Sequence, residues 1–223
     1  MTQHLVLAGG GHAHMVSLAH LRDFVELDWR VTVIGPSDYH YYSGMGPGML
    51  GSTYEPDEIR FATRAQVEAQ GGIFVRDTIV AVDPKQRRLA LASGAQVDYD
   101  LVSFNTGSSV QLPEISGDQE RIFTVKPIER LYEAREVIAT QSTLRPLKVA
   151  VVGGGPAGAE ISGNLRQLLV ESSHPAQVYL YAGHRFMGRF PEAVRDKSRS
   201  FLERAGVEII ENGYLQRIED MRL

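Results

Sequence analysis

The sequence predicts an α/β fold in which one pattern of strand, glycine turn and helix occurs twice, with a β-meander between the two copies. Three observations carry this reading. Leu5-Val6-Leu7-Ala8 is an unbroken apolar run leading into Gly9-Gly10-Gly11, Val149-Ala150-Val151-Val152 is another leading into Gly153-Gly154-Gly155, and the stretch between holds short apolar runs joined by polar turns. An apolar run without alternation suits a parallel strand covered on both faces.

After the first run, Leu18, Leu21 and Val25 recur at helical spacing and predict a helix over 12–25. Residues 29–34 read as a second buried strand ending at Gly35-Pro36, which completes a βαβ unit. Residues 37–53 hold Tyr39, Tyr41, Tyr42, Gly44, Gly46, Pro47, Gly48 and Gly51, a composition that favours an extended loop over a helix or strand. A helix is expected over 59–70, then strands at 73–75, 79–82, 89–91 and 101–104, forming a meander closed by a buried strand. Residues 113–117 read as a linker and 129–139 as a helix, and the pattern restarts at 148–152. In the second copy Ala157, Ile161, Leu165, Leu168 and Leu169 mark a helix, followed by a strand at 178–181, a helix over 193–205 and a strand at 207–210. The domains expected are therefore 1–117 and 118–223.

Composition narrows the function classes. A net charge of −4 over 223 residues argues against a nucleic-acid partner, which needs a basic face. The chain has no cysteine, so disulfides, thiolate metal sites, cysteine nucleophiles and redox dithiols are all absent, and any redox chemistry must use a bound cofactor. No apolar run approaches the ~18 residues of a membrane span, and the N-terminus lacks a basic leader, so the reading is cytoplasmic, with peripheral membrane contact left open. The oligomer is not encoded.

The glycine turns carry the chemistry. Gly153, Gly155 and Gly158 fit G-x-G-x-x-G directly after a strand and at the start of a helix. The first glycine permits a tight turn, the second lets a pyrophosphate approach bare backbone, and the third lets helix and strand pack closely, with the anion at the helix N-terminus. The structural alternative is a tight turn that meets no ligand. In the first turn Gly9 and Gly11 match, but His14 occupies the third position. His12 and His14 lack a third ligand nearby, so no metal is read there. A first-turn histidine has its charged form disfavoured by the helix dipole, which points to a neutral, hydrogen-bonding role.

Neither unit has an acidic residue at the end of its second strand, where a ribose-binding Asp or Glu is expected: Gly35 and Pro36 stand there in the first, Ala182 and Gly183 in the second. His184 and Arg185 just beyond are candidates for a 2′-phosphate; a solvated turn is the alternative.

The first GGG turn, a strand ending in Asn105-Thr106-Gly107, and a second turn reading GGGPAGAE resemble the two-dinucleotide-binding flavoprotein superfamily of the pyridine nucleotide-disulfide oxidoreductase type. Within it the chain resembles the branch of single-subunit NADH:quinone dehydrogenases and sulfide:quinone oxidoreductases. LVLAGGGHAHMVSL with VTVIGPSDYHYYSGMGPGML is also similar to flavoprotein domains joined to selenide, water dikinase.

The resemblance implies two Rossmann-like domains: FAD on 1–117, with Gly9, Gly10, Gly11, His12 and Ala13 at its pyrophosphate, and NAD(P)H on 118–223, held through Gly153, Gly155, Pro156, Ala157 and Gly158. It implies that Thr106 and Gly107 close over the FAD, with Asn105 in place of the usual Ala. Val80 would give backbone contacts near the adenine, and Ser43, Gly44 and Met45, in the run to Pro47, would approach the flavin ring. Tyr41 and Tyr42 either line the flavin or pack. Glu160 is implied as the catalytic acid beside the nicotinamide side of the flavin; a solvated first-turn glutamate is the alternative.

The activity implied is hydride transfer from NAD(P)H to flavin, with electrons passing to a quinone or another small acceptor. Without cysteine, disulfide reductase and sulfide:quinone activities are not expected. The alternative is a non-catalytic nucleotide-binding or sensor module associated with selenium metabolism. The resemblance also implies a returning Gly-Asp segment and a C-terminal interface domain, so the chain is expected to be truncated and its flavin binding weakened.

Overall fold

A computed structural model describes residues 2–110, 112, 114–116, 120–170, 172–214 and 217–219. The elements run β1 (Gln3–Ala8), a 3-10 turn (His12–His14), α1 (Met15–Ala19), α2 (Leu21–Glu26), β2 (Trp29–Gly35) and β3 (His40–Tyr41). A 3-10 turn (Ser43–Met45), α3 (Gly46–Leu50), a second such turn (Pro56–Glu58), β4 (Arg60–Phe61) and α4 (Thr63–Glu68) follow. Then come β5 (Ile73–Arg76), β6 (Ile79–Asp83), β7 (Arg88–Leu91), β8 (Gln96–Asp98), β9 (Leu101–Phe104) and β10 (Glu114–Ser116). The remainder is α5 (Glu129–Ser142), β11 (Leu147–Val152), α6 (Pro156–Leu168), β12 (Ala176–Tyr181), α7 (Glu192–Arg204), β13 (Val207–Ile210) and β14 (Arg217–Glu219). They form two compact units, Met1–Tyr42 with Arg60–Ser108, and Ser43–Ile59 with Ser109–Leu223.

The first unit is a parallel sheet in the order β5-β2-β1-β9. Because side chains alternate along a strand, β1 and β2 feed two cores. Leu5, Leu7, Val31 and Val33 pack with Leu18, Leu21, Val67 and Phe74, while Val6 and Ile34 pack with Leu89 and Leu91. The second core is roofed by the antiparallel meander β6-β7-β8. Each such side chain contributes about 1.5–3 kcal/mol on burial, which explains why an apolar run without alternation marks β1.

Several expected elements are corrected. The helix over 12–25 is interrupted at His20 (φ −111°, ψ 24°), which separates α1 from α2. Residues 73–76 join the parallel sheet instead of the meander, since they pair with β2 and place Phe74 in its core. The strand at 101–104 is not buried: β9 is a sheet edge, with Leu101 54% and Phe104 49% exposed. Residues 37–53 are not all loop, because Gly46 opens the short α3, with Pro47 in its first turn and Met49 and Leu50 buried. Pro47 at the second helical position costs no hydrogen bond, since the first-turn N–H groups have no partner within a helix.

The second unit is a parallel sheet, β11-β12-β13, with α6 and α7 packed on its strands. As an edge strand β11 buries only Val151, and Val152 is 50% exposed, so its apolar run overstated its burial. Residues 43–59 pack here: α3 lies against α5 and α6, Gly46 fits between Ile128 and Leu131, and Gly51 abuts Asn164. Arg135 of α5 donates to the Met49 and Tyr54 carbonyls and to Glu55, and the Gln167 amide donates to Thr53. In the stretch read as a linker, Glu114–Ser116 pairs in parallel with β14. The expected boundary between residues 117 and 118 lies outside the described residues.

At the end of β1 remote from its glycine turn, His4 is buried, with Nε2 2.8 Å from Thr32 Oγ1. Its Nδ1 lies 2.6 Å from the Asp98 carbonyl and 2.7 Å from Arg30 Nη2. A protonated Nδ1 donates to the carbonyl and a bare one accepts from Arg30, so either neutral tautomer is served. Burial, more than any neighbour, holds the pKa of His4 below its ordinary value, and Arg30 adds to the effect. The unfolded chain therefore takes up this proton before the folded one does. Stability is complete above the unfolded pKa, near 6.5, and declines as pH falls below it until the folded pKa is passed. Urea unfolding at about pH 7.5 and about pH 5 should show this decline. His4→Gln should flatten it, and an equal slope in the variant would assign the decline elsewhere.

Candidate functional site

The second glycine turn leaves β11 and enters α6. Gly153 has φ +131°, a conformation rarely open to other residues, and its N–H donates to the Tyr181 carbonyl at 2.9 Å. At Gly155, the N-cap of α6, a Cβ would meet nothing within 4 Å. At Gly158 a Cβ would stand 1.8 Å from the Gly153 carbonyl oxygen, so backbone closes on backbone there. The turn is thus packed on its inner side and open on its outer side, as an anion pocket of bare amides at a 13-residue helix requires. Pro156 stands at the first helical position, and Ala157 beside it is exposed.

The first turn is built differently. Gly9 has φ +90° and donates to the Ile34 carbonyl at 2.7 Å. A Cβ on it would lie 2.1 Å from the Asn105 carbonyl oxygen, and one on Gly11 would lie 1.9 Å from Asn105 Oδ1. Asn105 is itself tied to β1 through its N–H on the Ala8 carbonyl at 2.8 Å. The Asn105-Thr106-Gly107 turn therefore folds directly over Gly9 and Gly11, and Gly107 has φ +77° with open space about it. A Cβ on Gly10 would meet Thr63 Cγ2 at 3.0 Å.

His14 is buried where the second turn has Gly158. Its Nδ1 lies 2.7 Å from the Gly9 carbonyl and its Nε2 2.9 Å from Ser103 Oγ, so both ring nitrogens are engaged within the protein. An imidazole bridge replaces backbone contact, and the chain makes a 3-10 turn before α1 begins. His12 and Ala13 are exposed, and the His12 ring is 5.1 Å from that of Tyr42. Among the described residues no group of three or more His, Cys, Asp or Glu is placed to hold a metal ion.

Other expected site residues take defined places. Val80 sits at a register break between β6 and β7, 62% exposed, where a bulge frees backbone groups. Ser43, Gly44 and Met45 form the 3-10 turn before α3 and belong to the same unit as Glu160. Glu160 is exposed on α6, one turn before Asn164, whose amide donates to the Glu160 carbonyl. Residue types alone did not reveal Asp38, three positions past Gly35, whose carboxylate faces Arg64 Nε at 2.9 Å and Arg76 at 3.9 Å. The spacing rule that looks for an acid at the strand end passes over it.

Residues 3–222 match the family model described as pyridine nucleotide-disulphide oxidoreductase. The chain belongs to that family. Among its members' relatives in sequence is the NADH dehydrogenase-like protein YutJ of Bacillus subtilis, 24% identical over 97% of this chain and 59% of its own length. The external alternative NAD(P)H-ubiquinone oxidoreductase B2 of Arabidopsis thaliana is 23% identical over 75% of this chain and 32% of its own. In fold the chain is similar to NDH2 from Plasmodium falciparum, solved in complex with NADH, with a TM-score of 0.76, 14% identity, and coverage of 99% of this chain and 50% of that one. This family member therefore spans well under two thirds of the length of the proteins it matches. Among the described residues no helix is long and apolar enough to cross a membrane.

Proposed function

We propose that the chain is part of a FAD-dependent NAD(P)H oxidoreductase, with FAD on the first unit, NAD(P)H on the second, and a quinone or another small molecule as acceptor. The observation that carries this reading is the pair of glycine turns, each following a parallel strand, and above all the open outer side of Gly153 and Gly155. Family membership and relatives named for NADH and ubiquinone support it. When bound, the two coenzymes supply hydride transfer from nicotinamide to flavin and onward electron transfer.

The protein's part is to bind and orient. In the second unit the amides at the mouth of α6 hold the nicotinamide coenzyme's pyrophosphate, with Gly155, Pro156 and Ala157 at its edge and Gly158 closing the turn beneath. In the first unit Gly9, Gly10, Gly11, His12 and Ala13 line the FAD pyrophosphate. Thr106 and Gly107 close over it, and the backbone at Val80 faces the adenosine end. Ser43, Gly44 and Met45 approach the flavin ring, and Glu160 orients the nicotinamide side. The domains on this reading are 1–117 and 118–223, and the enzyme works free in the cytoplasm or peripherally at a membrane.

The test is an anaerobic visible spectrum of the protein with added FAD. Flavin absorbance that bleaches on addition of NADH or NADPH is the expected result. Nucleotide binding with no flavin reduction would instead favour a sensor module.

A further inference from the structure

We propose that the bare face of the second sheet pairs two copies of this chain about a two-fold axis running along β12. A parallel sheet is ordinarily covered on both faces. Here α6 and α7 cover one face: Val151, Val178, Leu180 and Val207 are buried on it, and Leu180 Cδ1 would stand 3.3 Å from a Cβ on Gly158 of α6. The strand register gathers the alternate residues on the other face, in the rows Ala150-Tyr179-Glu208 and Val152-Tyr181-Ile210, with Lys148 beside Gln177 one row before them. The Tyr179 hydroxyl donates to Gln177 Oε1 at 2.7 Å along this face. Lys148, Ala150, Val152, Gln177 and Glu208 are exposed there, and Tyr179, Tyr181 and Ile210 are partly buried.

The first unit shows what such a face requires. Counted back from the glycine turn, Val6 and Ala8 of β1 hold the positions of Ala150 and Val152, and Ile34, paired with Ala8, holds that of Tyr181, paired with Val152. All three residues of the first unit are buried, Val6 and Ile34 beneath Leu89 and Leu91 of the meander. Among the described residues β6-β7-β8 is the only meander, and β10 and β14 pair with each other apart from the second sheet. The apolar end of the face, at Ala150, Val152, Tyr181 and Ile210, is thus left without a roof of its own.

The placement of charge on this face selects a second copy as its occupant. Lys148 stands on β11 at one edge of the sheet and Glu208 on β13 at the other, one row further along the strands. A dyad along β12 lays β11 of each copy over β13 of the other and leaves β12 over itself. Each Lys148 then faces Glu208 of the second copy, Val152 faces Ile210 of the second copy, and Tyr179 and Tyr181 meet their own counterparts at the axis. Aligned sheets pack about 10 Å apart with strands within about 30° of parallel, a gap that paired tyrosines fill and a lysine crosses. A partner carrying one sign of charge would instead leave Lys148 or Glu208 opposed by its like. The contact is isologous, so it closes at two copies, and it does not depend on bound coenzyme.

Sedimentation velocity of the 223-residue chain across a concentration series tests the pairing. A three-stranded face is smaller than a standard interface, so we expect a dimer that dissociates at about micromolar concentration. Lys148→Glu and Glu208→Lys should each weaken it about tenfold or more, because each sets like charges opposite one another at two symmetry-related places. Both residues are exposed, so each variant should keep the parent's thermal midpoint. An equimolar mixture of the two variants restores a Lys–Glu pair at both places and should dimerise about as the parent does, a rescue that a misfolded variant would not give. A monomer at every concentration would overturn the pairing and give the face to a different partner. A dimer that neither variant weakens, a mixture that stays monomeric, or association that continues past two copies would overturn it as well.

Discussion

Gly155→Ala should weaken coenzyme binding at the second turn about ten- to hundredfold without destabilising the protein, whereas Gly158→Ala, three residues on, should damage both. The difference lies in what a single methyl group would meet. At Gly155 it enters open space, at a backbone conformation (φ −91°, ψ −175°) that alanine adopts freely. Folding is untouched, and the methyl stands where the pyrophosphate would approach the amides. At Gly158 it would lie 1.8 Å from the Gly153 carbonyl oxygen and 3.3 Å from Leu180 Cδ1. Backbone cannot yield as a flexible side chain does, so α6 must lift away from β11. Overpacking of this kind costs about 1–3 kcal/mol, or a fall of roughly 5–15 °C in Tm for a unit of this size. Fluorescence titration with NADPH and thermal denaturation separate the two variants. Loss of Kd by about ten- to hundredfold is expected in each, with a shift in Tm only for Gly158→Ala. A Gly155→Ala protein that bound nucleotide as the parent does would remove the ligand from this turn.

The same contrast explains how much was legible in the sequence. G-x-G-x-x-G after an apolar run states a steric demand at each glycine, and the second turn meets each demand locally, between residues a few positions apart. The first turn does not. Its Gly9 and Gly11 are packed by Asn105, nearly a hundred residues later in the chain, so the reason for those glycines depends on which strand pairs beside β1. Pairing order also accounts for the misplaced strands. The apolar runs at 73–76 and 101–104 flank the meander in sequence but sit on opposite sides of the β1-β2 pair. Edge strands such as β9 and β11 carry runs that read like those of central strands, because a run records composition and not the number of neighbours. Residues 43–59 escaped for another reason: glycine and proline mark breaks, yet here Gly46 and Gly51 are small so that α3 can approach α5 and α6.

His14 should prove to be a working substitute for a glycine, and restoring the glycine should not improve the site. In the second unit Gly158 brings the helix against the Gly153 carbonyl; in the first, the His14 ring reaches the Gly9 carbonyl across a wider gap and continues to Ser103. His14→Ala would leave that carbonyl and hydroxyl without their partner and open a cavity under the turn. The expected cost is about 2–4 kcal/mol, measured by urea unfolding. His14→Gly would complete the motif in letters, yet the 3-10 turn at 12–14 is already set to the width of an imidazole. It should therefore lose the same contacts plus about 0.5–1 kcal/mol of backbone entropy. Ser103→Ala should cost only about 1 kcal/mol, since the bond to the Gly9 carbonyl survives. A His14→Gly variant as stable as the parent, or one that took up FAD more readily, would show the histidine to be tolerated at that position instead of required. The first turn would then be a relaxed copy of the second, and its closure would rest on Asn105 alone.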